Sequence, residues 1–146
     1  MAKFLTKKQE EELVAAIGEA EMQTSGELRL HIEKSCASDN VIERAQELFL
    51  ELGMNETEQR NGILVYVAWK DHKVAIWGGK GIHEAVGQDF WDEELETLIT
   101  HFAKEDYTEG LKKVILQIGD KLKQYFPYQS DDQNELSDEI SYNDED

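Results

Sequence analysis

The chain has 146 residues, a length for one domain with a core of its own, with 40% apolar content and a net charge of −17. Its longest apolar run, Ile63 to Trp69, is far too short to span a bilayer. No Lys/Arg stripe interleaves with aromatic residues, and so acidic a chain repels a phosphate backbone, which excludes nucleic-acid binding.

Thr6 to Thr24 reads as a first helix. Thr6 and Gln9 have capping-box spacing, Leu13, Ala16, Ile17 and Ala20 share one face, and Gly26 can end it. Glu27 to Glu33 alternates, with Leu28, Leu30 and Ile32 on one side and Arg29, His31 and Glu33 on the other, the pattern of a strand with one drier and one wetter face. Asn40 with Glu43 opens a second helix that turns Val41, Ala45, Leu48, Phe49 and Leu52 inward and stops at Gly53.

Ile63 to Trp69 is apolar at every position, as a central strand covered on both faces must be. The polar turn Lys70-Asp71-His72 then feeds Lys73 to Trp77, so these two strands form a hairpin. A third helix spans Phe90 to Phe102, opened by Asp89 and buried through Leu95, Leu98, Ile99 and Phe102. Asp106 with Glu109 opens a fourth, buried through Leu111, Val114, Ile115, Ile118 and Leu122 and closed by Pro127.

The first two strands flank a helical crossover, which makes them parallel and the crossover right-handed. A middle strand apolar on both faces needs helices on both sides, so the expected fold is an α/β three-layer α/β/α sandwich. It has a small mixed sheet, a parallel pair followed by a β-hairpin, and about four main helices. This domain covers residues 1–127. Residues 128–146 hold eight acidic side chains (Asp131, Asp132, Glu135, Asp138, Glu139, Asp144, Glu145, Asp146) and no basic one, leaving −9 for residues 1–127. They read as an acidic disordered tail.

The N-terminal Met1-Ala2-Lys3-Phe4-Leu5-Thr6-Lys7-Lys8 turns polar without an apolar h-region, so no signal peptide is expected. The single cysteine, Cys36, cannot form an internal disulfide, which suits a cytoplasmic protein.

Glycine turns joined to strand-like runs frame this sheet at Thr24-Ser25-Gly26-Glu27, Arg60-Asn61-Gly62 and Gly78-Gly79-Lys80-Gly81-Ile82. With Ser25-Gly26-Glu27-Leu28-Arg29-Leu30-His31-Ile32-Glu33, Arg44-Ala45, Phe49, Leu52-Gly53-Met54, Phe90-Trp91 and Phe126-Pro127, they resemble the TPM domain, also known as the TPM phosphatase domain. The resemblance covers about residues 4–127 and is to the short bacterial members without a membrane anchor. It implies the sandwich fold. It also implies the acid phosphatase activity and divalent-ion binding, calcium or magnesium, attributed to some plant relatives that act in photosystem repair. Arg60 stands where exported relatives often carry an acidic residue, and the acidic stretch after the Gly-Ile turn is reduced to Gly87-Gln88-Asp89. Both departures count against carrying a metal site over.

The chemistry legible in the residues is thin. A cysteine phosphatase needs five residues between its thiolate and arginine, whereas seven separate Cys36 from Arg44, and the folded part holds no Asp-x-Asp nucleophile pair. The Gly78-Gly79-Lys80-Gly81 loop, with the Asn61-Gly62 turn, can cradle a small anion through backbone amides, Lys80 supplying charge; plain turn geometry is the weightier reading of Gly79 and Gly81. P-loop spacing and a dinucleotide fingerprint are both absent. His31, His72, His83 and His101 show no zinc spacing. His31 and Glu33 can point at one ion but read foremost as a polar face packed by Arg29; His101 and Glu105 read as a solvated pair, and Asp92, Glu93, Glu94 and Glu96 as the wet face of the third helix.

Open sheets with a crossover bind ligands beyond the C-terminal ends of parallel strands. That edge collects Ser35, Cys36, Ser38, Asp39 and Asn40, and Asp39 is the candidate ligand for a hard cation. The expected role is an accessory or binding module. The alternatives are a weak metal-assisted acid phosphatase and an adaptor that engages an unknown protein partner through its acidic tail.

Overall fold

A computed structural model of the protein describes residues 4–36, 38–56, 61–127 and 140–142. Its elements in chain order are α1 (Lys7–Glu21), β1 (Glu27–Glu33), α2 (Val41–Glu51), a short 3-10 turn (Met54–Glu56), β2 (Gly62–Ala68), β3 (Lys73–Gly78), α3 (Lys80–Val86), α4 (Gln88–Ala103), α5 (Tyr107–Leu122) and β4 (Ser141–Tyr142). The sheet runs β3-β2-β1-β4. β1 pairs in parallel with β2 from Glu27↔Gly62 to Glu33↔Ala68, and β2 pairs antiparallel with β3, Val65 opposite Ile76.

The two faces of β2 separate two cores, because successive side chains point to opposite sides of the sheet. Ile63, Val65 and Val67 join Leu28, Leu30 and Ile32 of β1 against Leu13 and Ile17 of α1, Leu98 of α4 and Leu111, Val114 and Ile118 of α5. Leu64, Tyr66 and Ala68, with Ala75 of β3, pack against Ala45, Leu48 and Phe49 of α2 and against Met54. All seven residues of β2 are buried. The three-layer α/β/α sandwich with a mixed sheet is therefore the observed fold.

Local chemistry sets the helix ends. The Thr6 side chain accepts from the Gln9 amide (3.1 Å) while Gln9 accepts from the Thr6 amide (2.9 Å), the reciprocal capping box. Asn40 Oδ1 accepts from the amides of Ile42 and Glu43, and Gly53 ends α2 with φ +72°, a conformation that favours glycine. α1 and α5 cross so closely that a Cβ on Gly119 would lie 2.7 Å from Ala20 Cβ.

Three expectations change. Lys80–Val86 forms a helix, α3, where the glycines of Gly78-Gly79-Lys80-Gly81 read as a plain turn. In α4 the inward positions are Trp91, Glu94 and Leu98, whereas Ile99 is 51% exposed and Leu95 and Phe102 are half-buried. Ile140–Tyr142 does not follow the disordered-tail reading, since Ser141 and Tyr142 pair in parallel with His31 and Ile32 of β1. The rest of the tail, residues 128–139 and 143–146, lies outside the described residues.

Candidate functional site

The wetter face of β1 turns toward α2 and builds a buried polar cluster there. Glu33, fully buried, accepts on Oε1 from His31 Nε2 (3.2 Å) and Arg44 Nη2 (2.8 Å), and on Oε2 from Arg44 Nε (3.0 Å) and the Tyr66 hydroxyl. Arg44 Nη1 reaches Glu47 Oε1 at 2.7 Å. His31 Nδ1 meets Ser141 Oγ at 2.8 Å, and its ring stacks parallel to that of Tyr66. The alternation of β1 foretells His31 and Glu33 on one face, as observed. Arg44 and Tyr66 are the partners that sequence reading misses. Arg44 stands on the inward stripe of α2 between Val41 and Leu48, and a charged residue there was the available signal.

This cluster is closed. Burial alone would raise the Glu33 carboxyl; the hydrogen bonds from His31, Arg44 and Tyr66, with the charge of Arg44, outweigh it and hold the group well below the usual carboxylate range. The hydrogen bond to Glu33 raises the Arg44 guanidinium against the opposing effect of burial. Burial, then the bonds to Glu33 and Cys36, push the Tyr66 hydroxyl far up. A carboxylate with at least two donors on each oxygen has no lone pair left for a metal or a reacting proton, and a hydroxyl that resists ionisation makes a poor nucleophile. The arrangement ties β1, β2 and α2 together.

An open concavity lies at the β3 edge. Phe49 and Leu50 of α2, Trp77 of β3, and Gly79, Lys80 and His83 at the start of α3 border a groove of about 430 Å³. Phe49 and Trp77 give it an apolar floor continuous with the α2-side core, and Lys80 and His83 are exposed on its rim. Two of the residues expected to meet an anion, Gly79 and Lys80, thus line one groove. The Gly79 amide is already engaged, donating to the Gly62 carbonyl (2.8 Å). Asn61 is buried and its carbonyl accepts from the Glu27 amide, so Asn61 and Gly62 form the frame behind the groove. Gly81 sits half-buried in the first turn of α3.

Asp39 is exposed beyond the other end of β1, just before α2. Because β1 and β2 run parallel over seven paired residues, Asp39 and the Asn61-Gly62 turn lie at opposite ends of the sheet, roughly 20 Å apart along the strands. Among the described residues no group of three His, Cys, Asp or Glu side chains is placed to hold a metal ion. Cys36 donates from Sγ to the Ser38 carbonyl (3.2 Å) and through its amide to Asp71. His101 pairs with Asp106 (2.9 Å), not with Glu105. Arg60 lies outside the described residues.

A second concavity, about 490 Å³, separates α4 from α5 and is bordered by Phe90, Glu94, Gln117, Asp120 and Lys121. Glu94 is a correction to the wet-face reading, since it is 6% exposed. Burial, with some help from Glu93 and against Lys113, pushes its carboxyl up to about 7. Turned with its amide nitrogen inward, Gln117 donates to both Glu94 oxygens, at 2.9 and 3.0 Å. Lys121 lies over the Phe90 ring. Gln117 and Glu94 thus satisfy one another across this cleft.

A mixed sheet between α2 on one face and α1, α4 and α5 on the other, with a closed ion-pair cluster at the second helix, defines a small α/β sandwich without an assembled catalytic constellation among the described residues. The chain belongs to the TPM domain family, whose model matches residues 1–121. It is similar to the BA42 protein from the psychrophilic bacterium Bizionia argentinensis, with 39% identity, 98% of each chain covered and a TM-score of 0.91. The N-terminal domain of a P. gingivalis protein shares the fold at 18% identity and TM-score 0.71, over 86% of this chain and 82% of that one. The N-terminal domain of cg2496 from Corynebacterium glutamicum shares it at 13% and 0.64, over 80% and 72%. No curated protein matches the chain. No helix among the described residues is long and apolar enough to cross a membrane.

Proposed function

We propose that this TPM domain is a binding module, and that it takes a small anion-bearing ligand in the groove between α2, β3 and α3. The observation that carries this reading is the pairing of an apolar floor, Phe49 and Trp77, with the exposed Lys80 ammonium on the rim. Ligand pockets combine mostly apolar lining with a few placed polar groups. The closed state of the Glu33 cluster supports binding over catalysis, since its carboxylate and hydroxyl are committed to each other.

Titration with phenyl phosphate, followed by tryptophan fluorescence, tests the reading through Trp77. Saturable binding is expected, with Lys80→Ala weakening it at least about fivefold, or about 1 kcal/mol, and inorganic phosphate binding less tightly for want of a ring. No saturable change, or equal binding by the Lys80 variant, would refute it. Running the same protein with a chromogenic phosphate ester, with and without calcium or magnesium, tests the acid phosphatase alternative. Metal-dependent turnover abolished by Asp39→Ala would put that alternative first.

A further inference from the structure

We propose that the groove between α2, β3 and α3 takes an aromatic molecule ending in a three-oxygen anion, a sulfonate or phosphate, and that His83 makes its hold tighten with acidity. The assignment rests on the binding role of the groove and adds to it the shape of the anion and the residue that selects it.

The lining divides into an apolar bed and three donors. Phe49 and Trp77 form the floor, and Leu50, 62% exposed, makes an apolar lip. The polar side chains are Gln46 of α2 and Lys80 and His83 of α3. Each of them can donate a hydrogen bond, and no lining residue is a carboxylate. In a chain with 32 Asp and Glu against 15 Lys and Arg, that leaves the groove free of the prevailing charge. Among the described residues, none of the three donors is engaged through its side chain in a hydrogen bond or an ion pair. They are open to a ligand in a way that the committed Glu33 and Glu94 carboxyls are not.

The number and placing of the donors select the anion. Lys80 and His83 stand three residues apart on α3, so they share one face of that helix, while Gln46 comes from α2. A carboxylate has two oxygens in one plane and cannot give each donor its own. A sulfonate or phosphate presents three, and its tetrahedral shape lets donors from two elements reach different oxygens. The attached ring then rests on Phe49 and Trp77. Acidity enters through His83, since a histidine gains its charge between about pH 8 and about pH 5. The elements bordering it bring no carboxylate that would take up this charge: α2 contributes Gln46, Phe49 and Leu50, β3 contributes Trp77 and Gly78, and Lys80 shares the rim. Glu84, its neighbour on α3, is exposed and does not border the groove. Protonation therefore sets a second cation beside Lys80, and an anion between the two relieves their repulsion.

The test titrates the full chain with benzenesulfonate, which keeps a single negative charge at every pH used, and follows tryptophan fluorescence. Affinity should rise from about pH 8 to about pH 6, and the gain in the wild type should exceed that in His83→Gln by at least about threefold, the scale of one exposed ion pair. Glutamine keeps a donor without the charge, and His83 is exposed, so the variant folds as the wild type does. Acidification also lessens the net charge of −17, and that general effect remains in the variant. Benzoate, with the same ring and the same charge at about pH 6, should bind the wild type at least about threefold more weakly than benzenesulfonate, for want of a third oxygen. Saturating benzenesulfonate should also shift the His83 ring resonances. Saturable binding with equal gains in wild type and variant, or with unmoved His83 resonances, would overturn the role of His83. Equal affinity for benzoate would overturn the three-oxygen assignment. Both results would leave the groove a binding site, whereas no saturable binding at either pH would remove the binding role and this inference with it.

Discussion

Arg44→Met isolates what the buried cluster contributes. The substitution keeps an unbranched apolar stem but removes the donors at 3.0 and 2.8 Å that hold Glu33, whose side chain is 1% exposed against 10% for Arg44. Breaking such a pair from one side leaves a buried charge without its partner and costs about 3–5 kcal/mol, a large share of the roughly 5–15 kcal/mol that hold a domain folded. The pH dependence separates this cause from lost packing. In the wild type the Glu33 carboxyl is held below its unfolded value of 4.5, so its contribution is complete above that value and is lost as pH falls through the folded one. In the variant the carboxyl loses the hydrogen bond and the charge of Arg44 while burial still acts, so it takes up its proton at higher pH than in the wild type and the deficit shrinks as pH falls through that range. Urea unfolding at about pH 7 and about pH 5 should show the deficit shrinking by about 1 kcal/mol or more. A deficit below about 1 kcal/mol at pH 7, or one that does not change with pH, would refute the reasoning. Glu33→Leu combined with Arg44→Met should recover part of the loss, because well-packed apolar replacements of buried pairs are often neutral.

Two further substitutions test other parts of the fold. Glu94, pushed up to about 7 by burial, binds its proton more tightly folded than unfolded. The wild type should therefore lose stability as pH rises from about 5 to about 8, and Glu94→Gln should remove about 1–3 kcal/mol of that slope. Parallel pH profiles for the two proteins in urea would rule this out. Gly119→Ala should destabilise by about 1–3 kcal/mol through overpacking against Ala20, although helix propensity alone predicts a gain of about 1 kcal/mol. A raised melting temperature would show that α1 and α5 can part at little cost.

What the sequence revealed, and what it concealed, follows from how local each signal is. The run Gly62–Ala68 is buried at every position, and burial on both faces leaves an unbroken apolar run. Thr6, Asn40 and Gly53 act within four residues of themselves, so their capping roles were readable. Arg44 and Tyr66, the distant partners of Glu33, come from 11 and 33 residues away. Tyr66 hides in an apolar run because a single hydroxyl carries its polar role. Glu94 was read as solvated because three exposed acidic neighbours surround it in sequence, while the geometry that buries it belongs to the α4–α5 contact. α3 is seven residues long, contains Gly81 and begins after Gly79 without a side-chain cap, so its glycines spoke for a turn. β4 has two residues in an acidic setting, and its parallel pairing with His31 and Ile32 makes it a strand.

The expected functional residues divide along the same line. Gly79 and Lys80 converge on a groove because the β2–β3 hairpin returns the chain to the start of β2, where Gly62 receives the Gly79 amide. Asp39 sits at the far end because a parallel crossover carries the chain back along the length of the sheet. One ligand of small-molecule size cannot touch both, so the anion reading and the cation reading concern separate sites. The Glu33 cluster sits toward the Asp39 end, beneath α2, and fixes the helix whose Phe49 and Leu50 form one wall of the groove. Weakening the cluster should therefore loosen the groove through α2. Phenyl phosphate affinity measured on Arg44→Met at a temperature where it remains folded would show whether the two ends are coupled: unchanged affinity means that α2 is held in place by its apolar face alone.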